Sequence, residues 1–234
     1  MLVTYLNSKI KHLLYMAKKP EREIILVICA HNDDQILGVG GTIAKYASEG
    51  KEIITVIFSY GESSHIWLKR KEIVETRVKE SHRADKLLGI QESYYLGIKE
   101  GNFLKKITEK NIEKRIEHII RKYNPVKIFT HAIDDPHPDH QAVHRVVMTV
   151  VDRINKKYEV YTFPVWNPIN LIARNKPKLI IDITKTLKKK VLAFKIHKSQ
   201  KVTILSLFWV VYIRAFFNGF NNKMKYAEVF YKIR

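Results

Sequence analysis

The chain has 234 residues, with 42 Lys and Arg against 23 Asp and Glu, and a formal net charge of +19. One cysteine rules out a disulfide framework, and 9 Gly and 7 Pro leave no linker-rich or low-complexity tract. No repeat divides the chain, so a single domain over residues 1–234 is expected.

Residues 1–19 place Leu2, Tyr5, Leu6, Ile10, Leu13 and Leu14 at helical spacing among lysines. That predicts an amphipathic N-terminal helix, packed on the core or lying on a membrane surface, and not a secretory signal; the protein is expected to be cytoplasmic, or peripheral at the membrane. Ile24–Ala30 reads as a buried parallel strand. Gly38 and Gly40-Gly41 lead into a helix ending near Gly50, followed by a strand over 52–59 and a helix over 70–88 stopped by Gly89. A short strand at 94–96, a helix over 108–122, a strand over 126–130 and a helix over 141–155 come next. Strands near 158–163 and 178–183 and a helix over 184–198 complete the alternation, which predicts an α/β, Rossmann-like, mostly parallel sheet with helices on both faces. Residues 202–217 form the most hydrophobic stretch; at 16 residues with Arg214 inside, it is too short to span a bilayer. It is read as an apolar C-terminal helix that serves as core, subunit interface in a homo-oligomer, or membrane-docking patch.

The positive charge attracts phosphate, anionic lipid or nucleic acid. Runs such as Lys69-Arg70-Lys71 and Lys188-Lys189-Lys190 read as solvated faces, and no glycine and aromatic signature of RNA binding accompanies them. Nucleic acid is therefore not expected as the partner, whereas an anionic membrane surface is kept.

Chemistry concentrates at two strand ends. His31-Asn32-Asp33-Asp34-Gln35 follows the first apolar run, and His137-Pro138-Asp139-His140 follows the run at 126–130. Ligands collect at the carboxyl ends of strands in open α/β sheets, so neighbouring strands would unite the two groups as a split metal site. Two histidines and one aspartate suffice for a hydrolytic metal, so only one of Asp33 and Asp34 need bind it, leaving the other beside the bound water as general base. A capping carboxylate at a strand end is the plain alternative for His31-Asp33-Asp34. Pro138 suits the first turn of a helix, on which His140 and His144 share a face; either or both could be ligands. His137 stands before that helix, where a protonated imidazole could face developing negative charge, steadied by Asp139 through its other ring nitrogen.

These residues resemble the LmbE-like, or PIG-L, family of zinc-dependent de-N-acetylases, whose hallmarks are A-H-P-D-D-E and H-P-D-H. Ser59-Tyr60-Gly61-Glu62, Tyr95-Leu96-Gly97, His197-Lys198-Ser199-Gln200 and Ala227-Glu228-Val229-Phe230 extend the likeness along the chain. The resemblance implies one Zn2+ per chain, or another divalent metal, on His31, Asp34 and His140, with His144 outside the ligand set. It further implies Asp33 as base, His137 as oxyanion stabiliser or proton donor oriented by Asp139, and Arg77, Glu100, Trp166 and His197 as substrate contacts. The implied substrate is an N-acetylated amino sugar, oligosaccharide or glycolipid. An amidase for another amide conjugate, or a basic nucleic-acid or membrane-binding protein with a degenerate metal site, are the competing readings. Asn32 stands where the family has Pro and Gln35 where it has Glu. His65, His82, His118 and His131 are read as having no metal role.

Overall fold

Seven strands form one sheet in the computed structural model, which describes residues 22–61, 70–101, 103–109, 111–154, 156–167 and 175–234. Side chains at 70, 104, 108, 201–206 and 208 are outside the description, as are the helix expected over 1–19, Glu62, His65 and Pro168. The strands are β1 Ile24–Cys29, β2 Glu52–Ile57, β3 Glu92–Tyr95, β4 Lys127–His131, β5 Glu159–Phe163, β6 Lys178–Asp182 and β7 Ala227–Lys232. Their order is β3-β2-β1-β4-β5-β7-β6. β1, β2, β3, β4 and β5 pair in parallel, and β7 runs antiparallel between β5 and β6.

The chain runs outward from β1 through β2 to β3, then returns to lay β4 on the other side of β1. Loops leaving the carboxyl ends of β1 and β4 therefore diverge, and a crevice opens between them. Both strands are buried on both faces, which explains the continuous apolar sequence of β1. Alternate β1 residues feed two cores. Ile25, Val27 and Cys29 join α1 (Asp34–Ser48), α2 (Arg70–Leu88), α6 (Leu187–Ile196) and α7 (Lys201–Phe220). Leu26, Ile28 and Ala30 join α3 (Phe103–Glu109), α4 (Ile112–Tyr123) and α5 (Pro138–Arg153).

Three departures from the expected elements have physical causes. The first helix begins at Asp34, not after the glycines. Gly38 lies inside it because a Cβ there would meet the Phe163 ring at 2.1 Å, so the missing side chain lets α1 lie close on the sheet. The helix expected over 108–122 is two helices, because Asn111 takes a left-handed conformation at φ +50° and resets the chain between α3 and α4. The third departure is β7, absent from the expected elements. Its buried Glu228 interrupts the apolar pattern that would mark a buried strand. That carboxylate accepts from Gly41 N, Thr42 N, Thr42 Oγ1 and Lys190 Nζ at 2.6–3.0 Å, tying β7 to α1 and α6. Among the described residues no helix is long and apolar enough to cross a membrane.

Candidate active site

The turn after β1 is held from the strand beside it. Ala30 N donates to His131 Nε2 at 3.0 Å, fixing the carboxyl ends of β1 and β4 against one another. Four residues later α1 starts, and Asp34 Oδ2 accepts from His31 N at 2.8 Å. The same oxygen lies 3.3 Å from His31 Nδ1, 3.4 Å from His140 Nε2 and 3.3 Å from His131 Nε2. Burial opposes the Asp34 charge, but His140, His131 and His31 together hold its carboxyl well below the usual range. His131 is itself kept neutral, its pKa lowered to about 4 by burial and by His140. Its ring stacks on that of His140 at a centroid distance of 3.9 Å.

His31 Nδ1, Asp34 Oδ2 and His140 Nε2 form a triangle with sides of 3.3, 3.4 and 3.4 Å. Metal-to-ligand distances of about 2.0–2.2 Å in a tetrahedral site require ligand separations of about 3.3–3.6 Å. The residues present therefore fit a divalent ion. The outer nitrogens fit it too. His140 Nδ1 lies 2.9 Å from Asp135 Oδ1, and His31 Nε2 lies 3.5 Å from Asp139 Oδ2 and 4.0 Å from Glu100 Oε1. A carboxylate behind an imidazole that is to bind a metal fixes its orientation and raises its basicity. Against the cost of burial, Asp34 first and then these outer acids raise the pKa of His31 and push that of His140 up to about 9. A cage that draws protons onto two buried imidazoles equally favours a cation in their place.

Asp33 shares the cleft without joining the triangle. It is 6% exposed, and its side chain makes no capping bond at the start of α1, where its carbonyl instead accepts from Ile36 N and Leu37 N at 3.0 Å. Asp33 thus holds the N-cap position, but its carboxylate does not serve as the cap. Burial and the neighbouring Asp34 push its carboxyl up to about 6, against the pull of His31 and Arg77. With the Gln200 amide nitrogen facing it, Asp33 Oδ2 accepts at 2.6 Å, and the amide oxygen accepts from Arg77 at 3.0 Å. The Arg77 guanidinium occupies the space over Gly61, where a Cβ would stand 1.7 Å from its nitrogen. Gly61 also adopts φ +77°, so a side chain is disfavoured there twice over. Around this chain of contacts is a cleft of about 470 Å³ lined by His31, Asp33, Asp34, Arg77, Glu100, His137, Asp139, Trp166 and Gln200 among others.

A family model described as PIG-L, GlcNAc-PI de-N-acetylase, matches residues 26–151. The chain belongs to this family. It is 27% identical over 199 residues to the probable N-acetyl-alpha-D-glucosaminyl L-malate deacetylase 2 of Bacillus cereus, covering 77% of this chain and 85% of that one. The N,N'-diacetylchitobiose deacetylase of Pyrococcus horikoshii superposes with a TM-score of 0.75 at 22% identity, over 100% of this chain and 93% of that one. The 4-carboxy-2-hydroxymuconate hydratase of Pseudomonas putida KT2440 does so with a TM-score of 0.77 at 20% identity, over 91% and 96%. Both solved structures share the fold.

In this PIG-L chain the crevice brings together His31, Asp33, Asp34, His137, Asp139 and His140, and Arg77, Glu100 and Trp166 line it. Three expectations are corrected. His197 is fully buried and does not line the cleft; Gln200, three residues on, does. Neither ring nitrogen of His197 has a hydrogen-bond partner among the described residues, and burial, aided by Arg77, lowers its pKa to about 4. His137 is not an imidazolium steadied by a carboxylate. Its Nδ1 accepts from the Asp139 backbone N–H at 3.1 Å, so the proton of the neutral ring sits on Nε2, and burial together with His140 lowers its pKa. The Asp139 carboxylate turns instead to His31 and accepts from Gly101 N at 3.1 Å. His144 Nδ1 lies 2.8 Å from the His131 carbonyl, a structural contact away from the triangle.

Asp135 was missed. Fully buried, it faces His140 Nδ1 and accepts from Val165 N, Trp166 N and His137 N at 2.8–3.1 Å, so it sets both the His140 ring and the cleft wall. Its position between a strand end and His137-Pro138-Asp139-His140 is the signal that could have found it. Gln35 is fully buried, donating to the Asn32 carbonyl at 3.1 Å and also hydrogen-bonding buried Asp85, whose carboxyl burial pushes up to about 6. A glutamate in its place would set a second carboxyl against Asp85.

Proposed function

We propose that this chain is a zinc-dependent N-deacetylase acting on an N-acetylated amino sugar, free or within an oligosaccharide or glycolipid. The observation that supports it most is the triangle of His31 Nδ1, Asp34 Oδ2 and His140 Nε2, 3.3–3.4 Å on a side, beside an uncapped Asp33. These three would hold one zinc ion, which when bound supplies a Lewis acid for the amide carbonyl and a water acidified to a pKa of about 7.

Asp33 takes the proton of the attacking water, whose oxygen bonds to the acetamide carbon as the carbonyl π bond opens. His137 Nε2–H donates to the carbonyl oxygen as it gains charge; a neutral donor suits that task because the Asp139 N–H already occupies Nδ1. Collapse re-forms the carbonyl and breaks the C–N bond. The proton held by Asp33 passes to the departing nitrogen, releasing acetate and a free amine. A carboxyl near pKa 6 can both accept that proton and return it. Arg77 and Glu100 offer a donor and an acceptor to sugar hydroxyls, and Trp166, 42% exposed, offers an apolar face to the ring.

The test is acetate release from N-acetylglucosamine, diacetylchitobiose and an N-acetylglucosaminyl lipid, with Asp33→Asn protein as control. Release by the native protein alone supports the proposal and ranks the substrates. Hydration of an unsaturated carboxylic acid, with no acetate from any amide, would replace it by the chemistry named for the Pseudomonas neighbour.

A further inference from the structure

Five of the eight large hydrophobic side chains exposed among the described residues lie on α7, namely Trp209, Ile213, Phe216, Phe217 and Phe220, each 50–72% exposed. Their spacing puts them within an arc of about 100° on one helix face. Phe216 packs edge-on to Phe217 and stacks on Phe220, so the face is a continuous aromatic surface. Such a patch marks an interaction site more often than a chance exposure.

The helix cannot roll to bury it. Leu207, Val211 and Ala215 on the opposite side are in the core, and the Arg214 guanidinium donates to the carbonyls of Pro164 and Val165 at 2.7 and 2.9 Å. For the same reason α7 cannot leave the sheet to cross a bilayer. Just beyond its last turn, Lys223 and Lys225 join Lys45 and Lys185 around a hollow of about 610 Å³, four cations against the carboxylates of Glu49 and Asp182.

We propose that this face of α7 docks on an anionic lipid bilayer, with the aromatic side chains entering the interfacial layer and the lysines at its end meeting lipid phosphates. Trp and Phe on an exposed helix face with lysines beside them suit the membrane interface. Charge separates this occupant from a second copy of the chain. Two copies would bring +19 against +19 at a lysine-flanked face, whereas an anionic leaflet attracts each lysine near it. The inference does not depend on the deacetylase reading.

The test is flotation of the full chain with vesicles of phosphatidylcholine alone and of an equimolar phosphatidylcholine and phosphatidylglycerol mixture. The native protein is expected to bind the mixed vesicles at least tenfold more tightly. A Trp209→Ser, Phe217→Ser, Phe220→Ser variant is expected to lose about tenfold per side chain while keeping its melting temperature and its activity on soluble substrate. Lys223→Glu with Lys225→Glu is expected to abolish the preference for the mixed vesicles. Absence of native binding to the mixed vesicles, or equal binding by the triple variant, overturns the proposal. So does a dimer seen by light scattering that the triple variant dissolves, with no vesicle binding. Asp33→Asn protein is expected to float like the native one, and vesicle binding by the native protein without acetate release would refute the deacetylase and leave the docking face standing.

Discussion

Two buried carboxylates a short way apart along the same helix-bearing face behave in opposite ways. Glu228 is surrounded by donors: two backbone amides, the Thr42 hydroxyl and the Lys190 ammonium, which also donates to the Leu37 carbonyl. Burial lowers the Lys190 pKa, opposed by Glu228, but every group there has a partner within the fold. Asp34 instead gathers three imidazoles on one oxygen, while its neighbour Asp33 is driven to hold its proton up to about pH 6. The first arrangement is closed and structural. The second is held open by charges that would all be eased by a cation and a water, which is how a reactive site differs from a strut.

Asp33→Asn gives the largest expected effect, a fall of about 10²–10⁴ in kcat with metal content unchanged. Near-native turnover would remove Asp33 from the role of base. Glu228→Ala should do the reverse, costing about 3–5 kcal/mol by leaving Lys190 buried and unpaired, and lowering Tm by about 10 °C. Metal content per folded molecule should stay native, and a metal-free folded variant would show that the two clusters are coupled. Asp135→Asn should weaken metal affinity about 10–100-fold, read by competition with a chelating dye; unchanged affinity would mean that Asp139 and the protein frame suffice to orient the ligands.

The smallest effect is on stability. A carboxyl whose folded pKa is raised stabilises the fold below its unfolded pKa, and that contribution is lost as pH rises through about 6. In metal-free protein Asp33→Asn should therefore raise Tm by a few degrees at pH 7, with the gain vanishing near pH 4. An equal gain at both pH values would locate the cost elsewhere than in ionisation. The native activity should fall as pH drops through 6 for the same reason.

His31, Asp33, Asp34 and His140 could be read from the sequence because each lies in a short polar group at the end of an apolar run, and strand order then brings the groups together. Asp135 left only its position between a strand end and the second of these groups as a signal, and His131 left none, since what makes it matter is a contact with Asp34 across the two strand ends with no fixed spacing behind it. His197 was misplaced because a histidine with neither nitrogen hydrogen-bonded is an unusual core residue. The strand β7 escaped because its burial is purchased with a charge, and alternation is read from apolar residues alone.

The bond from Ala30 N to His131 Nε2 has a consequence for coordination number. His131 Nε2 lies 3.3 Å from Asp34 Oδ2, no farther than the two nitrogens of the triangle, and would otherwise stand ready as a fourth donor. Four protein ligands complete a tetrahedron and leave nothing for solvent, as in zinc centres that only brace a fold. Because a backbone amide already engages that lone pair, a metal ion bound here would find three protein ligands, with a fourth corner left for water and substrate.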